Sequence, residues 1–146
     1  MSRKWSSGRA AAAGLTVLVS AAAVAVSSPA QAAPATWSTA NGAATATGTI
    51  EYRGVPGGRY ADIVGAISVG KSDGQCYYLR YYVPADLLGR GFNSARLCGE
   101  GDLPVEAHPF LSLFGTFGFR FGLCRVAPGT ADESLFADLG AHCVKI

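Results

Sequence analysis

Ser72 lies in Gly70-Lys71-Ser72-Asp73-Gly74, which fits G-x-S-x-G, the pattern of a serine-hydrolase nucleophile elbow. That chemistry needs a strand, a strained turn and then a helix, so that the serine is exposed beside oxyanion-hole amides. Here Tyr, Leu and Val follow Gly74, and they favour a pleated strand over a helix. The pattern reads as a Gly/Ser/Asp hairpin turn, and a serine hydrolase is rejected.

The next candidates are aromatic rings beside arginines. In a strand over 75–83, Cys76, Tyr78, Arg80 and Tyr82 share one face, and Tyr77, Leu79, Tyr81 and Val83 share the other. Leu79 and Val83 mark the second set as buried, so Tyr78, Arg80 and Tyr82 are expected on an accessible surface. Rings stack and a guanidinium directs hydrogen bonds, a combination suited to sugar or peptide recognition. In 116–126, Phe117, Phe119, Phe121 and Leu123 form a core face, leaving Gly118, Arg120, Gly122 and Cys124 opposite. Arg120 then joins Arg80 on the cysteine-bearing side. The expected ligand contacts are Tyr78, Arg80, Tyr82 and Arg120, with an extracellular carbohydrate or protein as partner.

A second constellation is acid–base in character. Glu106 and His108 share a strand face, and Glu100 and Asp102 lie just before them in a Gly-rich loop. A small nuclease or glycosidase could use such groups.

Cys76, Cys98, Cys124 and Cys143 are even in number and lie past the leader, the usage of a two-disulfide framework. Three pairings are open. Cys76–Cys98 with Cys124–Cys143 is favoured, because each pair joins segments close in sequence that would neighbour each other in a sheet. A metal site with His108 and His142 lacks any C-x-x-C spacing. No metal or other cofactor is expected.

The elements that must position these residues begin after a leader. Arg3, Lys4 and Arg9 precede an apolar run from Ala10 to Val26, and Ala30-Gln31-Ala32 supplies a small-x-small cleavage pattern. Residues 1–32 are therefore expected to be a signal peptide, and the protein to be secreted. Removing those three from the 12 basic residues leaves nine against 10 acidic ones, a net charge of −1. No basic field remains for nucleic acid or an anionic membrane, and a soluble monomer is expected.

Residues 33–44, rich in Ala and Thr, read as a flexible arm. Residues 45–146 read as one domain. Within it, strands are expected over 45–52, 61–69, 75–83, 94–98, 105–113, 116–126 and 141–146, with one helical turn at 135–138. The 105–113 and 116–126 strands are expected to pair through a turn near Phe114-Gly115. Strands separated by Gly- and Pro-rich turns, without helical periodicity, define an all-β sandwich or barrel-like domain.

The leader ending in "AQAAPA", with "DGQCYYLRYY", "LCGEGD" and "FGLCRVAPG…HC", resembles small secreted two-disulfide β-proteins of actinomycetes. The resemblance implies export and a compact sandwich, and many such proteins have no assigned activity. The subtilisin-inhibitor type needs a proline-containing loop beside a cysteine, and no cysteine here has one. The amylase-inhibitor type carries Trp-Arg-Tyr at a hairpin tip, whereas Ser38 follows Trp37. The expected role is an extracellular binding or inhibitor module, with a small hydrolase or a structural envelope protein as alternatives.

Overall fold

A computed structural model of the protein describes residues 33–84, 89–112 and 118–146. The expected signal peptide and the expected turn near Phe114-Gly115 lie outside the described residues. Among the described residues, ten strands form two antiparallel five-stranded sheets facing each other. The first sheet contains β1 (Ala35–Asn41), β2 (Ala44–Val55), β3 (Gly58–Val69) and β7 (Gly101–Ala107) in that order, and β8 (Phe110–Ser112) also pairs with β3. The second sheet runs β10 (Cys143–Lys145), β9 (Arg120–Val126), β4 (Cys76–Val83) and β5 (Arg90–Asn93), and β6 (Leu97–Cys98) also pairs with β4. The expected small all-β sandwich with two disulfides is what the chain forms.

Alternation builds the core. From the first sheet, Trp37, Ala46, Ile50, Ile63, Ile67 and Val105 point inward; from the second, Tyr77, Leu79, Tyr81, Phe121 and Leu123 meet them. Gly48 and Gly65 are paired across β2 and β3, and the Trp37 ring lies over both. A Cβ on Gly48 would stand 2.2 Å from the Val64 carbonyl oxygen and 2.5 Å from the indole. Two adjacent glycines thus make the slot that admits a tryptophan. The Trp37 and Phe121 rings meet edge to face at 5.4 Å, and Tyr81 stacks on Phe121.

Several expectations change. Residues 33–44 are not a flexible arm as a whole, because β1 pairs with β2 along its length and buries Trp37. The alternation there is hidden by small residues, and Gly42-Ala43, with φ of 60° at Gly42, makes the tight two-residue turn between the paired Asn41 and Ala44. The segment around Gly70–Gly74 joins strands of different sheets, so it is a crossing turn and not a hairpin. The 105–113 segment splits into β7 and β8, which both pair with β3, while β9 pairs with β4 in the other sheet. Pro104 is accommodated because β7 is an edge strand.

Candidate functional site: a strapped apolar turn

The outer face of the second sheet carries Cys76, Tyr78, Arg80 and Tyr82 from β4 beside Arg120, Gly122 and Cys124 from β9. Parity brings the four expected contacts together as foreseen. Their expected exposure does not follow: Tyr78 is fully buried and Arg80 is 1% exposed. The physical reason is the segment between β9 and β10, residues 127–142, which lies across this face as a strap. Tyr82 and Arg120 remain partly exposed.

Charge and covalent bonds hold the strap down. Both disulfides, Cys76–Cys98 and Cys124–Cys143, join residues directly opposite in neighbouring strands, and the second ties the end of the strap to β9. Three strap acids each meet an arginine of the sheet side. Asp132 Oδ1 is 2.7 Å from Arg96, Glu133 Oε2 is 2.8 Å from Arg80 Nε, and Asp138 Oδ2 is 2.8 Å from Arg120. Arg96 also lies over the Tyr78 ring and Arg120 over the Tyr82 ring. The tyrosines singled out for ligand stacking stack on the protein's own arginines.

Arg80 is the centre of this arrangement. Its Nη1 donates to Asn93 Oδ1 at 2.7 Å, and its Nη2 donates to the carbonyls of Ser134 at 2.8 Å and Ala137 at 2.6 Å. The contact with Glu133 is an ion pair whose N–H is not aligned for a hydrogen bond. The planar fork of a guanidinium is suited to such a multiple grip. Gly91, opposite Tyr82, leaves room for it: a Cβ there would stand 2.4 Å from Arg80 Nη2.

The carbonyls gripped by Arg80 are the two ends of a tight turn, Ser134-Leu135-Phe136-Ala137, closed by Ala137 N–H donating to Ser134 O at 3.0 Å. This replaces the helical turn expected at 135–138. Gly91 N–H donates to Leu135 O at 2.6 Å, and Ser134 Oγ accepts from the Phe136 amide. The two side chains at the tip point to solvent: Leu135 is 62% and Phe136 59% exposed. A large apolar pair held this rigidly in water is unusual for a strap that otherwise buries its contacts. Sequence reasoning missed it, although "DESLFAD" places the only apolar pair of the strap's middle between acids.

His142 closes the strap. Its Nε2 is 3.0 Å from Glu133 Oε1 and 3.2 Å from the Tyr78 hydroxyl. Burial, with the Glu133 charge second, pushes the Tyr78 phenol above its usual range. Cys124, His142 and Cys143 also lie within metal-ligand reach of one another, but both sulfurs are bonded in a disulfide and offer no thiolate.

The acid–base pair lies elsewhere, on the outer face of the first sheet. His108 Nδ1 is 2.8 Å from Asp62 Oδ1 and its Nε2 is 3.0 Å from Glu106 Oε1. Arg53 Nε donates to the other Asp62 oxygen at 3.2 Å. Hydrogen bonding to Asp62, then to Glu106, raises the His108 pKa, and Arg53, then His108, lowers that of Asp62. Both ring nitrogens are therefore occupied by carboxylates.

Ser72 shows no contact with either histidine among the described residues. Its Oγ accepts from the Gly74 amide at 3.3 Å and its own N–H donates to Glu100. Asp73 receives the Tyr77 hydroxyl at 2.6 Å, which holds its carboxyl below the usual range. The turn beside them borders a shallow cleft of about 180 Å³ lined by Ser72, Gln75, Cys98 and Pro128. Comparison with known proteins returns no matching family model, no matching curated protein and no matching solved structure.

Proposed function

We propose that this protein is exported and acts outside the cell as a small binding or inhibitor module, with the Ser134–Ala137 turn as its contact element. The observation that carries the reading is the exposure of Leu135 and Phe136 on a turn fixed from beneath by the buried Arg80. Binding favours anchors ordered before contact, because less freedom is then lost on association. The two disulfides suit an oxidising compartment, and the leader-like residues 1–32 supply the export signal. The partner class, carbohydrate or protein, is separated by experiment. Wild type and the Leu135→Ser/Phe136→Ser double variant are passed over cell-wall polysaccharide and over immobilised extracellular proteins. Retention that falls in the variant supports the reading; equal retention on both matrices sinks it.

The contacts of His108 with Asp62 and Glu106 favour a second reading, a small nuclease or glycosidase. It requires one ring nitrogen to be released before His108 can move a proton. Hydrolysis of RNA or polysaccharide by wild type and not by His108→Ala would establish it.

A further inference from the structure

We propose that the open outer face of the first sheet is a second contact, independent of the turn, that holds a neutral polysaccharide without cutting it. Phe110 stacks on a sugar ring, and Arg53, Asp62, His108 and Glu106 bond its hydroxyls.

The two outer faces of the sandwich differ. The strap covers that of the second sheet, whereas the first leaves Phe110 45% exposed and His108 half-exposed. Register sets Arg53, Tyr60 and Phe110 side by side across β2, β3 and β8. Asp62 lies two residues along β3 from Tyr60 and faces the same way, about 7 Å further on. Its carboxylate bonds His108, whose other ring nitrogen bonds Glu106. An aromatic strip and a polar strip thus run side by side, and one ligand can meet both. Within the first strip, Tyr60 is braced by Arg53 over its ring at 5.2 Å and by Phe110 edge-on at 5.3 Å. The Phe110 ring is left as the open stacking surface.

The polar groups are ordered before contact, so little freedom is lost on binding. Asp62 takes His108 on one oxygen and Arg53 on the other. Among the described residues, nothing hydrogen-bonds the Nη groups of Arg53 or Oε2 of Glu106. The cluster therefore keeps both donors and acceptors for hydroxyl groups.

Charge and desolvation select the ligand. Glu51, Asp62 and Glu106 outnumber Arg53 and a protonated His108 on this face, so a polyanion such as RNA is repelled. A protein partner would strip water from these carboxylates, a cost that the cores of protein interfaces avoid. The hydroxyls of a neutral sugar instead fill the open lone pairs. Cleavage does not fit the geometry. A glycosidase places the scissile bond between its two carboxyl groups. Here the His108 ring stands between Asp62 Oδ1 and Glu106 Oε1, at 2.8 and 3.0 Å, and fills that space.

The test is affinity electrophoresis of the folded protein in gels containing soluble starch, galactomannan or hydroxyethyl cellulose. Retardation by at least one polymer is expected, with the apparent Kd raised about 10-fold by Phe110→Ala. Glu106→Gln should weaken it as well, with circular dichroism unchanged in both variants. Leu135→Ser/Phe136→Ser should bind as wild type does, and affinity should change little between about 0.05 M and 0.5 M NaCl.

No retardation by any of the three polymers overturns the inference, as does retardation that Phe110→Ala and Glu106→Gln leave intact. Retardation by RNA in place of polysaccharide overturns it too. New reducing ends formed by wild type and not by His108→Ala return these residues to the hydrolase reading. Retardation lost only in the Leu135→Ser/Phe136→Ser variant moves the sugar to the turn, which removes this site and leaves the binding-module reading standing.

Discussion

Glu133 Oε2 lies 2.8 Å from Arg80 Nε, joining a carboxylate of the 127–142 strap to a guanidinium that is 1% exposed on the central strand of the second sheet. A buried pair of this kind is costly to break from one side, because the surviving charge is left without its counterpart. Arg80→Met is therefore expected to destabilise the protein by about 3 kcal/mol in urea titrations. The Arg80→Met/Glu133→Gln double variant should recover part of that loss. Leu135→Ser, whose side chain is already in water, should leave the midpoint unchanged.

Removing the disulfides should separate stability from strap closure. The Cys76–Cys98 and Cys124–Cys143 bonds span sequence separations of 22 and 19 residues. Loop-entropy arguments then give similar losses of about 3 kcal/mol for Cys→Ala at either pair. Only loss of Cys124–Cys143 frees the end of the strap from β9. Limited proteolysis read by mass spectrometry should cut within 127–142 in that variant and spare the strap when Cys76–Cys98 is removed.

The first sheet should show a pH dependence of its own. Asp62, lowered by Arg53 and His108, contributes above its unfolded value near about 3.9, and the contribution fades as pH falls through the lower folded value. His108, raised by Asp62 and Glu106, contributes fully below about 6.5 and loses its contribution as pH rises through its higher folded value. The contacts are best formed between those limits. An NMR titration should place the His108 imidazole above ordinary histidine, and Asp62→Asn should move it down.

The slot beneath Trp37 is a packing test. Gly48→Ala brings a methyl against the Val64 carbonyl and the indole ring, and a loss of about 3 kcal/mol is expected. Trp37 emission during urea unfolding, in a background carrying Trp5→Phe, reports it, because these are the two tryptophans of the chain.

Much of this architecture was legible from alternation. The parity of Tyr77, Leu79, Tyr81 and Val83 identified the inward face of β4, and of the three open cysteine pairings the one favoured by closeness in sequence is the one that forms. The outward face misled because a strand sequence shows which side chains share a face, not what later covers it. Arg80 and its partners Glu133, Ser134 and Ala137 are more than 50 residues apart, with no periodicity linking them. β1 was hidden for a different reason. Ala, Ser and Thr carry little hydrophobic contrast, so Trp37 stood alone as the sign of a buried face. The tip residues Leu135 and Phe136 fall in the expected helical turn, and nothing in their types shows that Arg80 and Gly91 hold the backbone there with both side chains in water.

The hairpin turn between β1 and β2 also sets a limit on how long the molecule keeps its form. Asn41 Nδ2 donates to the carbonyls of Leu123 at 2.8 Å and His142 at 2.9 Å, so one amide joins the first sheet to the strap and to β9. Its neighbour is Gly42, whose unhindered backbone nitrogen can attack the Asn41 carboxamide, expel ammonia and leave a succinimide that opens to aspartate or isoaspartate. The product places a carboxylate against two carbonyl oxygens where a double donor stood. The hydrogen bonds that fasten the sheets therefore also guard the residue against this chemistry, and heating at alkaline pH should age the protein first at this seam, as read by peptide mapping for isoaspartate.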